Sequence, residues 1–431
     1  MSWRARELTQ QCWTALGGHE RALEQVSFVG EGDLPSAFAV TDLASAAIAT
    51  AALAVSEGSR VTVDRRLASM WFHTSLRPIG WKLPAPWDPI AGDYPCADGW
   101  IRLHTNAPHH RRAAEQVLGV QGDREAVARA VAGWEKTKLE TAVVAAGGCA
   151  AEMRSAAEWA RHPQGRAVAG EPLAHLEGRG AAKPLRGARV LDLTRVLAGP
   201  VATRFLAGFG ADVLRIDPPG WDEPGVVPEV TSGKRCARLD LREARDRATF
   251  EGLLSKADVL IHGYRPEALE RLGFGVEARR KLAPGLVDVS LDAYGWTGPW
   301  AGRRGFDSLL QMSSGIAEAG MRWRKADKPV PLPVQALDHA TGYLMAAAAI
   351  RGLNGGFARA RLSLARTARL LTEQADASPL APETEADLAP SVEKTSWGDA
   401  RRLLPPVTVE GAPMQWSRGA SALGSAEARW S

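Results

Sequence analysis

The feature that most constrains this chain is a strict alternation of strand and helix patterns between residues 189 and 293. ARVLDLT is an apolar strand run, VLAGPVATRFLAGFG is a Gly-Pro turn leading into a helix, and ADVLRID is a second strand. Strands joined through a crossover helix lie parallel, because a hairpin turn serves only antiparallel neighbours. REARDRATFEGLLSKA, DVLIHGY, EALERLGFG and VEARRKLAPGLVDVSLDAYG continue the pattern. The expected fold class is α/β: an open, doubly wound, mostly parallel sheet of Rossmann-like type, with a smaller α+β domain.

A second feature is an internal repeat. AVTDLASAAIATAAL (39–53) matches QALDHATGYLMAAAA (335–349), each with Asp at its fourth position ahead of an Ala-rich run. SRVTVDRRLASMW then matches ARLSLARTARLL, at an offset that grows from 296 to 301. Both Ala-rich runs read as buried helices, since small side chains let helices approach closely. A duplication is expected, with a strand and a short helix after each Ala-rich helix.

The remaining segments are less regular. Residues 1–37 form an N-terminal segment, and 38–180 are expected to form the smaller domain. Within it, 75–95 is irregular and rich in Pro and Trp, and YPCADGWIRLHT reads as a hairpin with Asp98-Gly99 at its turn. Helical patterns cover roughly 108–146 and 155–161. A Gly-, Lys- and Pro-bearing linker ends at 181–188, the α/β region runs over 189–350, and 351–431 is the C-terminal segment and tail. From 373 the tail has weak periodicity and is expected to be extended or partly disordered, with a short helix near Ala400–Leu404.

Composition excludes several partners. There are 53 basic and 49 acidic residues, a net charge of +4, and no basic run with interleaved aromatics. Nucleic acid and membrane surfaces are therefore not expected partners. No apolar run is long enough to span a bilayer, and MSWRARELTQQCW lacks a secretory apolar core, so a cytoplasmic location is expected. Cys12, Cys96, Cys149 and Cys236 are scattered and never spaced as CxxC. His109-His110 is a doublet in a polar stretch and reads as surface. No metal site is expected.

Three features bear on chemistry. The turn TRVLAGP lacks the GxGxxG fingerprint of a dinucleotide site, with Pro200 in the first helical turn. It is either a plain connection or a helix N-terminus that receives a phosphate. Asp338 starts an apolar helix, with Gly342 one turn on. It is either a cap or a nucleophilic carboxylate whose charge the helix-end N–H groups hold, and Asp42 shares both readings. Lys234, Arg235, Arg265, Arg271, Arg303 and Arg304 fall at expected loop positions. Together they suit a polyphosphate; singly they are solvated charges.

Taken in order, RVLDLTRVLAGPVATRFLAGFGADVLRID, SGKRCARLDL, ADVLIHGYRPEALERLGFG, YGWTGPWAGRRGFDSLLQMSSG and ALDHATGY resemble the family III CoA-transferases. That group includes formyl-CoA and carnitine CoA-transferases and, by shared fold, alpha-methylacyl-CoA racemase. SRVTVDRRLASMW, YPCADGWIRLHT and GGCAAEMRSAAEWARHPQGRAVAG resemble the family's later half, so a region like the second half precedes one like the first.

The resemblance implies an acyl-CoA:carboxylate CoA-transferase that works through mixed-anhydride and aspartyl-CoA thioester intermediates. It needs no permanently bound cofactor and takes CoA or acyl-CoA as substrate and a carboxylic acid as acceptor. A homodimer is implied, the alternative being one chain that supplies both halves of the site. By motif position Asp338 is the nucleophile, and Leu197 and Ala198 lie along CoA. Leu239, Asp240, Leu241, Arg242, Gly263, Tyr264 and Arg265 are CoA-contacting, and Arg271 is a basic contact. Arg304, Gly305, Phe306 and Asp307 approach the pantetheine arm and nucleotide.

Some positions depart from the family pattern. Pro218 replaces a basic residue against the adenine, and Leu197 replaces a glutamine near the reacting centre. Phe306 stands where the racemase has its catalytic His, which sets a racemase or isomerase below a transferase. Ala46 stands where the Gly after the nucleophile belongs, so Asp42 reads as a relic or cap. A non-catalytic or regulatory relative is the second reading, and the missing glycine fingerprint sets a nicotinamide dehydrogenase last.

Overall fold

The structure, a computed structural model, describes residues 3–374 and 377–431; two residues of the N-terminal segment and two of the tail lie outside the described residues. The chain begins with helix α1 (Trp3–Ala15), strand β1 (Val26–Val29), the Ala-rich helix α2 (Val40–Ser56), strand β2 (Val61–Asp64), helix α3 (Arg65–Trp71) and strand β3 (Leu76–Pro78). Strands β4 (Gly92–Cys96) and β5 (Gly99–Leu103) then form the expected hairpin. Helices α4 (Pro108–Leu118), α5 (Arg124–Ala132) and α6 (Lys136–Ala145) pack on it, and β6 (Ala150–Glu152) adds antiparallel beyond β5. The apolar stripe Leu118, Val127, Val131, Leu139 and Val143 meets Tyr94, Ile101 and Leu103 in a core separate from the main one. Helices α7 (Ala156–Arg161) and α8 (Pro163–Ala169) and strand β7 (Ala174–Glu177) lead out of this unit.

The alternation then runs as the pattern predicts. It comprises β8 (Arg189–Leu193), α9 (Ala198–Gly208), β9 (Asp212–Asp217), α10 (Val227–Val230), β10 (Lys234–Arg238), α11 (Ala244–Leu254) and β11 (Val259–His262). It continues with α12 (Pro266–Arg271), α13 (Val276–Leu282), β12 (Val287–Asp292), α14 (Asp307–Ser313), α15 (Ile316–Arg324), α16 (Ala336–Leu353), β13 (Arg359–Ser363) and α17 (Leu364–Ala368). The seven-stranded sheet is ordered β10-β9-β8-β11-β12-β13-β7. All neighbours are parallel except β7, which runs antiparallel to β13. The chain moves outward one way from β8 and the other way from β11, so the crevice beyond these two strand ends is the switch point where open α/β sheets bind ligands.

The repeat is structural. Helices α2 and α16 pack along each other in the main core. Each is followed by a strand and a short helix with an N-cap: Asp64 accepts the Leu67 amide and Ser363 accepts the Arg366 amide. These caps make Asp64 the counterpart of Ser363, a slightly shorter offset than the sequence match suggests. The sheet contexts agree as well. β12 and β13 are parallel with β7 antiparallel beyond, and β1 and β2 are parallel with β16 (Val407–Val409) antiparallel beyond.

The tail corrects an expectation. It is not a loose extension, and Ala400–Leu404 is not helical. Strands β14 (Glu393–Thr395) and β15 (Gly398–Arg402) pair with each other, β15 pairs with β3, and β16 pairs with β2. Partners some 300 residues away complete this structure, and local composition carries no trace of them. A buried charge cluster fastens it. The Glu229 carboxylate accepts from Thr74 Oγ1 (3.0 Å), Ser75 Oγ (2.6 Å) and the Ser75 and Leu76 amides (3.0 Å each). It also pairs with Arg204 of α9 and lies 3.7 Å from Arg402 of β15.

Candidate active site

A cavity of about 350 Å³ opens at the switch point. The loops after β8, β11 and β12 line it, as do the 303–306 segment, the first turn of α16 and, from the smaller unit, His109 and His110 of α4.

The loop after β8 is fixed from beneath. Asp192, fully buried, accepts from the Thr194 amide at 2.9 Å, from Thr203 Oγ1 at 2.5 Å and from Lys234 Nζ at 3.0 Å. Lys234 is thus a buried strut of β10, not the loop cation expected from its sequence context. Val196 takes a left-handed φ of +64°. That is strained for a β-branched residue, and its amide is held by Glu223 Oε1 at 2.6 Å. At Gly199 a Cβ would lie 2.2 Å from the Thr194 side chain, so only Gly lets the turn close.

Asp338 sits in the first turn of α16 and is 7 % exposed. The expected stabilisation by helix-end N–H groups is not what the structure shows. The amides of Leu337 and Asp338 donate instead to Asp307 Oδ2, at 2.8 and 2.9 Å. Gln311 Nε2 donates to the other Asp307 oxygen, and Gln311 Oε1 accepts the Leu332 amide at 2.7 Å. The Asp338 carboxylate receives no hydrogen bond from any described residue. Burial, with Asp307 beside it, pushes Asp338 well above the usual carboxylate range, and burial raises Asp307 to about 6. A carboxylate without donors is costly as an anion and strongly nucleophilic once ionised.

Three arginines of the cavity, Arg195, Arg265 and Arg304, have no acidic partner among the described residues. Arg304 donates to the Gly147 carbonyl at 3.0 Å, and Arg195 lies 4.4 Å over the Trp221 ring and donates to Tyr264 Oη at 3.2 Å. Partial burial, with Arg304 and Arg271 nearby, lowers the Arg265 pKa, against an opposing pull from Glu267. Arg303 differs: it pairs with Glu140 at 2.8 Å.

The expected site residues divide into two sets. Asp338, Ala198, Gly263, Tyr264, Arg265, Arg304, Gly305 and Phe306 line the cavity; Leu197 caps α9 at its edge, and Asp307 anchors α16 behind it. Leu239, Asp240, Leu241 and Arg242 follow β10 outside that lining, with Arg242 exposed and bonded to Asp240. Arg271 is exposed on α12 beside Glu267. Asp42 pairs with Arg65, which also reaches Asp33 at 3.0 Å. In the repeat Arg65 follows the strand-end cap as Leu364 does, and Leu364 lines the cavity; a charge therefore closes the Asp42 copy where an apolar side chain leaves the Asp338 copy open.

Sequence reasoning missed His110, Asp292, Arg195 and Trp221. His110 is 3 % exposed, not on the surface as expected, and neither ring nitrogen has a hydrogen-bond partner among the described residues. The signal was available, since His110, Ala113, Ala114 and Leu118 mark one buried helical face. Phe306 stacks on His104 with ring centroids 3.7 Å apart and meets His110 edge-on at 5.8 Å. Burial pushes His104 and His110 down to about 3 and Asp292 up to about 7.

Residues 185–374 match the family model described as CoA-transferase family III. The probable fatty acyl-CoA transferase Rv3272 of Mycobacterium tuberculosis is 34% identical over 186 residues, 40% of this chain and 47% of that protein. The succinyl-CoA:glutarate CoA-transferase of Mus musculus is 34% identical over 184 residues, 40% of this chain and 42% of that one. The acetyl-CoA:oxalate CoA-transferase of Acetobacter aceti is 37% identical over 148 residues, 32% and 38% of the two chains. The chain thus spans less than half the length of these relatives. A crystal structure of Rv3272 aligns at 31% identity over 44% of this chain and 56% of that one, with a TM-score of 0.39.

Proposed function

We propose, on the match of residues 185–374 to CoA-transferase family III, that this chain transfers CoA from an acyl-CoA to a carboxylic acid, with Asp338 as nucleophile. One observation carries the reading: a buried carboxylate opens into a cavity lined by Arg195, Arg265 and Arg304, and among the described residues the carboxylate has no hydrogen-bond donor and these three arginines no ion-pair partner. The carboxylate suits covalent acyl transfer, and the unpaired guanidinium groups suit the phosphates of CoA.

The exchange balances without metal or redox chemistry. An Asp338 oxygen attacks the thioester carbonyl carbon, the C–S bond breaks, and CoA leaves as thiolate. The thiolate then attacks the Asp338 carboxyl carbon of the mixed anhydride and expels the donor acid as carboxylate, leaving an aspartyl-CoA thioester. The acceptor carboxylate enters by the reverse sequence. Both units of one chain line the cavity, so none of the residues named need come from a second copy.

A racemase would need a second base across the substrate. Phe306 offers none, and His110, pushed down to about 3, is a weak base at neutral pH.

Incubation with a panel of acyl-CoAs, followed by hydroxylamine and peptide mass spectrometry, tests the proposal. A hydroxamate on the Asp338 peptide is expected, and Asp338→Ala should bind CoA without forming it. Near-normal turnover by Asp338→Ala would overturn the assignment.

A further inference from the structure

Asp307 is not a nucleophile: both its oxygens are occupied and it is 1 % exposed. Its placement is nonetheless unusual. A first-turn aspartate ordinarily gains from free amides at its own helix end. Here Asp307 takes those amides at 2.8 and 2.9 Å and brings a second carboxylate to the same helix end. The arrangement weakens the Asp338 anion twice, by withdrawing its donors and by adding a like charge.

We infer that Asp307 is a positioning residue that drives acylation of Asp338 by making its free carboxylate costly relative to its covalent forms. The inference rests on the transferase reading above. In the anhydride and in the aspartyl-CoA thioester Asp338 carries no charge, whereas the ionised free enzyme carries it buried beside Asp307, with no donor among the described residues. The charge leaves on the CoA thiolate in the first step and on the released acid in the second. Forming either intermediate therefore relieves the repulsion. Both covalent states are favoured alike, so the two acyl exchanges stay near balance with each other while the resting anion is raised above them.

Several other charged groups approach this helix end. Arg102 of β5 acts on Asp307, and His339, next along α16, is held neutral with its ring stacked on Phe72. Arg204 of α9, Glu229 and His73 act on His339. Across the cavity stand Asp292, Arg195, Arg265, Arg303, Arg304, His109 and the neutral His110. Asp292, raised to about 7, titrates in its own right, so the difference between wild-type and variant profiles isolates the effect of Asp307.

The test is Asp307→Asn, which keeps an acceptor oxygen for the two amides and removes the charge, together with the acceptor that Gln311 Nε2 uses. At a fixed ratio of acyl-CoA to donor acid, intact mass should show the covalent-to-free ratio falling tenfold or more. The acidic limb of kcat/KM should move to lower pH by about one unit. A folded variant with the wild-type covalent ratio and limb overturns the inference. If Asp307→Asn does not fold, Gln311→Met removes a donor that keeps Asp307 ionised, so Asp307 protonates more readily and both readouts should move the same way as in Asp307→Asn, by less; no movement there overturns it too. A wild-type chain that forms no adduct with any acyl-CoA, although CoA binds, would instead refute the transferase reading on which this depends.

Discussion

Gly342→Ala tests how the Asp338 helix is seated. Gly342 has ordinary helical φ, so the backbone accepts alanine there; the constraint is the neighbour. A Cβ at this position would lie 2.4 Å from the Ala198 carbonyl oxygen and 3.0 Å from Val201 Cβ. Ordinary contact is about 3.5 Å, so the start of α9 must retreat by about 1 Å. Overpacking of that kind costs ~1–3 kcal/mol, against a helix-propensity gain of about 1 kcal/mol for Gly→Ala. The expected net loss is therefore about 1 kcal/mol.

The kinetic effect should be larger. Ala198 lines the cavity, and a misplacement of ~1 Å can cost about a hundredfold in rate. Urea unfolding and acyl-CoA transfer kinetics measure the two parts. Ala46 occupies the equivalent position of α2, so Ala46→Gly is the control. It should lose about 2 kcal/mol, from helix propensity and one buried methyl group, with transfer unchanged. A Gly342→Ala protein more stable than wild type with normal turnover would refute the argument that this contact seats α9 against the Asp338 helix.

Two further predictions concern buried charge. Glu229 is held at about 2 against an ordinary 4.5, chiefly by Arg204 and Arg402 against the cost of burial. A folded pKa below the unfolded one stabilises above the unfolded value, so about 3 kcal/mol should be present at pH 7 and be lost as pH falls from 4.5 toward 2. Unfolding free energies at pH 7 and pH 3 should show that fall, and Glu229→Gln should remove most of it; equal pH dependence in the two proteins would contradict this. Arg65→Leu, which copies Leu364, should destabilise the fold by ~3 kcal/mol through loss of the Asp42 pair. It should still give no hydroxamate on the Asp42 peptide, because the loops after β8, β11 and β12 have no counterpart upstream of α2. Labelled Asp42 would show that Arg65 alone had silenced it.

Much of this architecture was legible in the residues. Runs such as VLDL and DVLIH, alternating with amphipathic helices, leave few options besides a parallel sheet with helices on its faces. The Asp98-Gly99 hairpin and the paired Ala-rich helices were readable for the same reason: turn chemistry and side-chain period are local properties. Asp338 could be singled out as a first-turn carboxylate on an apolar helix, and the five ordered motifs pointed to acyl-CoA chemistry.

Local pattern left undecided everything that depends on what meets what. The donors expected to hold the Asp338 anion belong to Asp307, a residue 31 positions earlier that looks like one more helix-start acid. Lys234 resembled a loop cation, yet it lies under the sheet end bonded to Asp192, because β10 begins at Lys234 and takes in both Lys234 and Arg235, two residues sooner than the Gly-Lys-Arg context suggests. The Pro- and Ser-rich tail became strands once β2 and β3 offered their edges, and Arg65 separated two near-identical Asp helices by pairing with one of them. Periodicity records which face of an element is apolar. The charge state and reach of a carboxylate depend on the dielectric, donors and like charges around it, and only the packed chain brings those together.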